Sequence, residues 1–434
     1  MDYFFQRTFN LVTNLLQFMP RNFYLLLAVQ FISTLADNAF LIVAIARVIE
    51  LASADWIIPI LKLCFTMFYV LLAPLVGPLS DAIPKGRVML LANFLKVCAV
   101  FLMLAGLDPI VAIGVAGLGA AIYAPAKYGL ITELLPKEKL VKANGFFEGT
   151  TVCAVILGTA LGGLLVSPLM NQFNIPAVMW PLHNTTTTLA VGMLGLLALN
   201  GLATLLSFSI ADSGARYDSH SIHPVLLCQR FFRENLTLWR DPLGGLSMLV
   251  TTLLWGVGAT LQLIVLRWAN ESLGLPLAQA AYLQGITAVG VIAGAILASR
   301  FVTLASAATL LPLGMLIGIM IPLMLAVDSV LWAGILLTAV GAIAGYFVVP
   351  MNALLQHRGC SLLTAGRSIA VQGFNENAGM LVMLAVYAAA TATQIPLGIL
   401  IWCFAAMVTL GMAAIFILQQ KKKIHSPELL LENI

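Results

Sequence analysis

Charged residues are scarce in this chain. Asp, Glu, Lys and Arg together make up 9% of its 434 residues, whereas about 25% is usual for a soluble domain. Hydrophobic residues make up 61%, and the mean hydropathy is +1.00. This composition excludes a soluble domain. Because the apolar runs have the length of membrane helices, it predicts an all-α polytopic membrane protein.

Residue patterns of catalysis and metal binding are missing as well. The six cysteines are scattered without a C-x-x-C pair, so we expect neither a disulfide framework nor a metal site. No histidine has an aspartate five residues further on, which removes the H-x-x-x-x-D signature of lipid acyltransferases, and no nucleophile motif replaces it. We therefore predict a chain that is not an enzyme and has no cofactor, and we disfavour a membrane acyltransferase and a non-transporting receptor or scaffold.

Apolar runs of about 20 residues, the length that crosses a bilayer, occur twelve times. They lie at residues 23–47, 56–80, 87–107, 109–131, 142–166, 186–210, 245–269, 278–300, 305–326, 329–356, 366–390 and 395–419. All but five of the 22 lysines and arginines fall in the tails or in the even-numbered loops. By the positive-inside rule both termini are cytoplasmic. The net charge of +4 then reflects topology, and we expect no nucleic-acid partner.

The twelve runs divide into two sets of six. The predicted organisation is an amphipathic interfacial segment at 1–22, an N-terminal bundle at 23–210, a cytoplasmic linker at 211–244, a C-terminal bundle at 245–419 and a cytoplasmic tail at 420–434. Apolar residues in the first segment fall at helical spacing on one face, as in helices that lie in the membrane interface. A partly ordered tail is the alternative.

A lysine and a proline interrupt the fourth apolar run in the stretch YAPAKYG, which begins at Tyr123. A charge inside a membrane helix costs about 2.5 to 3.5 kcal/mol, so Lys127 should face a partner or an aqueous cavity. The tenth run repeats the order aromatic, proline, polar, with Pro350 in place of Pro125 and Asn352 in place of Lys127. Two related halves are typical of transporters whose site lies between the repeats. Tyr123, Lys127 and Asn352 are therefore candidate substrate contacts.

Other charged residues lie within the apolar runs: Asp37 beside Asn38, Lys96, Glu148 and Glu376. Asp37 is about 14 residues from the start of its run, which at 1.5 Å per residue is roughly 21 Å deep. A carboxylate at that depth needs a cation partner, a bound ion or a proton. Purely structural pairing with a neighbouring helix is the alternative for Asp37. For Lys127 the corresponding alternative is a structural pair with Glu148 or another buried acid.

Lys62, Lys96 and Lys127 form a graded series of cations from one face of the membrane to the other. An anionic head group would follow such a track, because it cannot enter lipid without a polar partner. For Lys62 and Lys96 the alternative is a lysine that snorkels or is paired locally. Gln262 and Arg267 add polar groups to the seventh run, although Arg267 lies near the outer end, where it would also snorkel.

The loop between the second and third runs carries Gly77-Pro78-Leu79-Ser80-Asp81 and then Lys85-Gly86-Arg87. It resembles the loop signature of the major facilitator superfamily, with two extra residues before the glycine and arginine. The resemblance implies a major-facilitator-type fold of two six-helix bundles. We expect gating roles for Asp81 and Arg87 in this motif, and Glu148 is a further candidate for a conformational role. The repeated Pro125 and Pro350 predict bends, with outer closure near helices 1 and 7 and inner closure near helices 4 and 10.

A narrower resemblance runs from about Gln30 to Gln419. Its segments are ADNAF, GRVMLLANFLK, YAPAKYG, KLVKANGFFE, GYFVVPMNALLQ and AVQGFNENAGML. They are similar to those of the bacterial lysophospholipid transporter family. The resemblance implies movement of lysophosphatidylethanolamine and lysophosphatidylglycerol from the outer to the inner leaflet of the bacterial inner membrane. It further implies a cytoplasmic-side acyltransferase and acyl-carrier-protein synthetase system as partner, and we expect a monomer.

The family's polar residues carry over unevenly to this chain. The acid of helix 1 matches Asp37, the lysine of helix 4 matches Lys127, and the acid of helix 11 matches Glu376. The arginine of helix 7 is replaced by Gln262, and the nearest arginine is Arg267, five residues on. Five residues rotate a side chain by about 140° beyond a full turn, so Arg267 is expected to face elsewhere unless it replaces the missing arginine.

A proton-coupled drug or small-solute antiporter of the same superfamily is the alternative function. Asp37 and Glu376 would then be proton sites, and the substrate would be soluble. The residues do not distinguish between coupling to sodium, coupling to protons and transport without a coupling ion.

Overall fold

The fold is that of an all-α membrane protein, as the composition predicts, with the two helical bundles that the twelve apolar runs and the loop resemblance lead us to expect. It is seen in a computed structural model, which describes residues 19–51, 57–167, 169–170, 187–217, 223–275 and 277–425. No β-strand occurs in those ranges. Most of the amphipathic segment predicted at 1–22 lies outside them, and its last two residues belong to the first helix.

The N-terminal bundle contains six apolar helical segments. They are α1 (Arg21–Glu50), α2 in two halves (Ile57–Leu71 and Ala73–Ala82), α3 (Lys85–Leu104), α4 (Pro109–Leu134), α5 (Leu140–Leu165) and α6 (Thr187–Phe208). The halves of α2 meet at a bend of 64°, and Pro74 stands in the first turn of the second half. Proline is favoured in the first turn of a helix, because its missing N–H needs no partner there and its φ already suits the helix.

The C-terminal bundle follows a linker that contains its own helix, Pro224–Arg240. The bundle consists of α7 (Pro242–Leu273), α8 (Leu277–Phe301), α9 (Leu304–Ala326, an α-helical centre between two 3₁₀ ends), α10 (Val330–Leu362), α11 (Ala365–Ala392) and α12 (Leu397–His425). Among the described residues, eleven helices are long and apolar enough to cross a membrane, and the bent α2 makes twelve. Pro125 and Pro350 lie inside α4 and α10, which continue through them as single helices.

The two bundles meet mainly through α11 against α2 and α4, and through α5 against α8 and α10. Helices 4 and 10, near which inner closure is predicted, both take part in these contacts, but each packs on other helices and the two touch one another only slightly. A Cβ atom built on Gly77 of α2 would lie 2.9 Å from Cα of Arg367 in α11, so only glycine permits this approach. On α11 the buried residues are Ala365 to Gln372, and the rest of the helix is less covered. The bundles therefore touch most closely on the side where the linker lies, called here the linker side.

Candidate functional site

A buried ion pair joins α1 to α3 inside the N-terminal bundle. Nζ of Lys96 lies 2.6 Å from Oδ2 of Asp37 and donates a further hydrogen bond of 2.9 Å to Oγ of Ser33. Ser33 in turn donates to Asn93, 2.8 Å away. The Lys96 side chain is 2% exposed and that of Asp37 is 17% exposed. The structure thus gives Asp37 the neighbouring-helix partner that the sequence left as an alternative, and the Asp37 side chain is not fully buried.

Lys127 is surrounded by aromatic rings. Its Nζ lies 4.5 Å from the ring centre of Tyr128 and 5.8 Å from that of Tyr123. The Tyr123 ring also lies 5.1 Å from Nζ of Lys96, so it stands between the two cations. Across the described part of the chain, no carboxylate reaches ion-pair distance of Lys127. The predicted alternative of a lysine locked to Glu148 is therefore not what the structure contains.

Glu148 is held by the opposite bundle instead. Nδ2 of Asn352 on α10 donates to Oε1 of Glu148 over 3.3 Å. Gln372 on α11 donates to Asn352 over 3.3 Å and to Oε1 of Glu376 over 2.8 Å. Two carboxylates from different bundles are thus joined through two amides, so that Asn352 is a direct link between the halves. Gln372 lies one helical turn before Glu376. The spacing of four residues between these polar side chains is visible in the sequence, but Gln372 is not among the predicted site residues.

An apolar cavity of about 310 Å³ begins at Glu148 and extends into the C-terminal bundle. Val152 of α5 and residues of α7, α8, α9 and α10 line it, among them Trp255, Leu261, Val291 and Ala344. Of the described residues along its wall, Glu148 is the one that carries a charge. Gln262 stands at the wall with its amide donating 2.8 Å to Gln284 of α8. The polar groups of the N-terminal bundle and this apolar space therefore meet at Glu148.

The remaining candidates lie apart from this centre. Lys62 is exposed on α2, as a snorkelling lysine would be. Arg267 is paired with Glu271 in its own helix at 2.6 Å, and the amide of Asn38 donates within α1 to the carbonyl of Thr34. The Gln262 position, not Arg267, is the one that reaches the cavity, in agreement with the expected rotation of the helix.

On the linker side, Asp81 near the end of α2 contacts the start of α11. Its carboxylate accepts hydrogen bonds from Oγ1 of Thr364 and, at 2.8 Å, from the backbone N–H of Gly366. A negative charge at a helix N-terminus is favourable, because the first N–H groups have no partner in the helix. Nζ of Lys85 lies 3.2 Å from Asp81 and 3.0 Å from Glu133 of α4. Arg87 is exposed, and Lys85 takes the buried position between the two acids.

Two further contacts fasten this side. The amides of Asn144 on α5 and Gln356 on α10 exchange hydrogen bonds of 2.8 and 3.0 Å. The linker contributes as well, since Tyr217 donates to Glu133 over 2.9 Å and Ser213 donates to the same carboxylate over 2.5 Å. Asn144 and Gln356 each lie four residues, or one helical turn, from Glu148 and Asn352. This spacing on both helices is visible in the sequence.

Two bundles of six helices, closed on one side and enclosing charged groups beside an apolar cavity, define a membrane transporter. The family model of the Major Facilitator Superfamily matches residues 26–383. A protein of Citrobacter koseri named lysophospholipid transporter LplT is 36% identical over 397 residues, which cover 91% of this chain and 95% of the relative. The protein of that name from Serratia proteamaculans is 34% identical over 93% of this chain and 97% of its own. This chain belongs to the lysophospholipid transporter family of the Major Facilitator Superfamily.

Solved structures agree on the fold. A bacterial homologue of the iron transporter ferroportin in an outward-facing state has a TM-score of 0.68 and 15% identity, over 93% of this chain and 100% of that one. The fucose:proton symporter FucP of E. coli has a TM-score of 0.68 and 14% identity, over 92% and 98%. At such identities the likeness concerns the fold alone.

Proposed function

We propose that the chain moves lysophospholipids from the outer to the inner leaflet of the bacterial inner membrane by alternating access. The observation that carries this proposal is the division of the site into a charged part and an apolar part. Asp37, Lys96 and Lys127 supply the first, and the cavity of the C-terminal bundle supplies the second. A lysophospholipid has the same division, a charged head group and a single acyl chain. The names of the relatives support the same substrate class.

The head group is proposed to bind with its phosphate at Lys127. This ammonium has aromatic neighbours but no carboxylate at ion-pair distance among the described residues, so its charge is available to an anion. Lysine offers three donors from one compact charge. Asp37 is already paired with the cation of Lys96. Glu148 and Glu376 accept hydrogen bonds from neutral amides instead. An ethanolamine ammonium would approach these two.

Orientation and partners are part of the proposal. We place both termini and the linker in the cytoplasm, following the distribution of lysine and arginine. The closed linker side is then the cytoplasmic side, and the site opens outward. The acyltransferase and acyl-carrier-protein synthetase system that rebuilds the diacyl lipid would act on the delivered product. A monomer without a cofactor is proposed, and it does not itself catalyse a reaction.

Purified protein in liposomes tests the proposal. Labelled lysophosphatidylethanolamine in the outer leaflet would be removed with albumin, and the protected fraction would measure inward movement, with and without sodium and proton gradients. We expect movement by the wild type, little by Lys127→Gln, and wild-type movement by Lys62→Gln, which changes an exposed lysine. Glycerophosphoethanolamine, which has the head group without the chain, should compete weakly. Equal rates in protein-free vesicles would refute the assignment.

Proton-coupled transport of a soluble solute is the second candidate. It is favoured by Glu148 and Glu376, two carboxylates that are joined by amides rather than by cations. The same liposomes decide between the two: the antiporter requires a proton gradient and does not protect the lysolipid.

A further inference from the structure

The linker helix Pro224–Arg240 has an outer face with two unlike rows. Val225, Phe232 and Leu236 are exposed, and their spacings of seven and four residues place them on one edge of the helix. Arg233 and Arg240, also exposed and seven residues apart, form an adjacent row. Neither arginine has an ion pair with any described residue.

The inner face of the same helix is fixed to α11. Glu234 accepts from Arg367 over 3.1 Å, and the indole of Trp239 donates to Asn375 over 3.0 Å. The rings of Phe231 and Phe374 meet edge to face with their centres 5.3 Å apart. These contacts hold the helix in one orientation. Phe232, at the edge of the apolar row, also meets Phe374 edge to face with ring centres 6.4 Å apart, but it stays 58% exposed. The apolar and basic rows therefore both keep exposed surface on the outer side of the helix.

The position of the helix identifies what covers these rows. It ends at Arg240, and the membrane-spanning α7 begins at Pro242, so the helix lies at the boundary of the membrane. In water the apolar row would be exposed at a cost in free energy. In the bilayer core the charged arginines would be buried without water, which is also costly. The membrane interface satisfies both rows, because apolar side chains enter the acyl boundary while arginines remain among the head groups.

We propose that the outer face of the linker helix is a binding site for the lipid surface on the linker side, with Arg233 and Arg240 holding anionic phosphate head groups. Basic residues beside an interfacial apolar row favour anionic over zwitterionic lipid. The helix thereby ties this leaflet to α11, the helix that carries Gln372 and Glu376. The inference concerns a surface outside the transport site and holds whichever substrate the transporter carries.

Fluorescence quenching in bilayers tests where the face lies. Full-length protein with its native cysteines replaced would carry Gln229→Cys, an exposed position between the two rows, labelled with an environment-sensitive dye. Arg216→Cys, whose native side chain is 67% exposed, provides the matched control elsewhere in the linker. We expect lipid-borne nitroxide to quench the label at 229 at least twofold more than the label at 216, and aqueous iodide to show the reverse order.

Lipid dependence tests the arginines. Phosphatidylglycerol added to phosphatidylcholine bilayers should raise the unfolding temperature of the wild type and of Arg216→Gln, and should raise that of the double variant Arg233→Gln, Arg240→Gln by less than half as much. Iodide quenching at 229 equal to that at 216 would overturn the proposal. Shielding from both quenchers would do so too, because it would indicate a protein partner. An undiminished lipid effect in the double variant would remove the anionic site.

Discussion

Replacing Asp81 by asparagine should open the linker side. The carboxylate joins three groups from two bundles: Oγ1 of Thr364, the N–H of Gly366 at the start of α11, and Nζ of Lys85. Asparagine keeps the shape and one acceptor oxygen, but it loses the charge and places an NH₂ group against one of the donors. Asp81→Asn therefore weakens the contact between α2 and α11 without removing side-chain volume.

The size of the effect follows from the bonds that are lost. Hydrogen bonds to a charged group contribute about 1.5 to 3 kcal/mol each, and the charge at the helix N-terminus adds about 0.3 to 1 kcal/mol. Losing one such bond and the helix term shifts the equilibrium between closed and open by roughly 2 to 4 kcal/mol. At 1.4 kcal/mol per factor of ten, this is about 30-fold to several hundred-fold toward the open state.

Labelling of Cys360 measures this shift. The residue is half-buried beside Thr132 and the cluster of Asp81, Lys85 and Glu133. In protein that retains only this cysteine, a membrane-impermeant maleimide applied from the linker side should react at least tenfold faster with Asp81→Asn than with the wild type. Asp212→Asn removes an exposed linker carboxylate as a control. A rate within twofold of wild type for Asp81→Asn would refute the assigned role.

Three other changes test the site and the linker. Lys127→Arg should keep part of the transport activity, whereas Lys127→Gln and Lys127→Glu should lose nearly all of it in the liposome assay; equal activity in the three would contradict phosphate binding. Asp37→Asn should abolish transport and destabilise the protein by about 3 to 5 kcal/mol, because Lys96 would stay buried without its partner; thermal unfolding measures this, and Asp37→Asn with Lys96→Met should recover stability but not transport. Burial raises the pKa of Asp241, but hydrogen bonds from Arg358 and from the backbone of Gly244 outweigh it and hold the pKa below its ordinary value of 3.8. The stabilisation is then present above about pH 4 and is lost as pH falls through the lowered pKa, so Asp241→Asn should unfold earlier than wild type at pH 7 and equally at the acidic end.

The positions of the membrane helices and of most charged groups could be predicted from sequence because they depend on local hydropathy. Lys127, Glu148 and Glu376 all lie inside helices, as their apolar surroundings indicate. Which charged residues pair with one another could not be predicted from local hydropathy. Asp37 and Lys96 are 59 residues apart, and their pairing depends on how α1 and α3 cross. A graded series of three lysines therefore resolves into an exposed lysine, a paired one and one among aromatic rings.

The contacts of Asp81 on the linker side also could not be predicted from the sequence. The loop motif predicts Asp81 and Arg87 as gating residues, but Lys85 lies between Asp81 and Glu133, and Arg87 is exposed. Because α3 begins at Lys85, this lysine lies in the first turn of the helix, where it pairs with Asp81 four residues earlier and with Glu133 of α4. Hydropathy alone does not reveal the break in α2, because the apolar run continues past Leu72 while the backbone turns by 64°; Pro74 is the residue in the sequence that marks it.

The strengths of the contacts between the bundles suggest how substrate binding and closure are coupled. Asn144 and Gln356 exchange two bonds of 2.8 and 3.0 Å, whereas one helical turn away Glu148 and Asn352 share a single bond of 3.3 Å, which is long and therefore weak. A cationic head group that binds Oε1 of Glu148 would compete with Asn352 for this oxygen and weaken the link. Such a ligand favours the state in which the bundles are apart at this level, and only that difference in affinity lets it move the equilibrium.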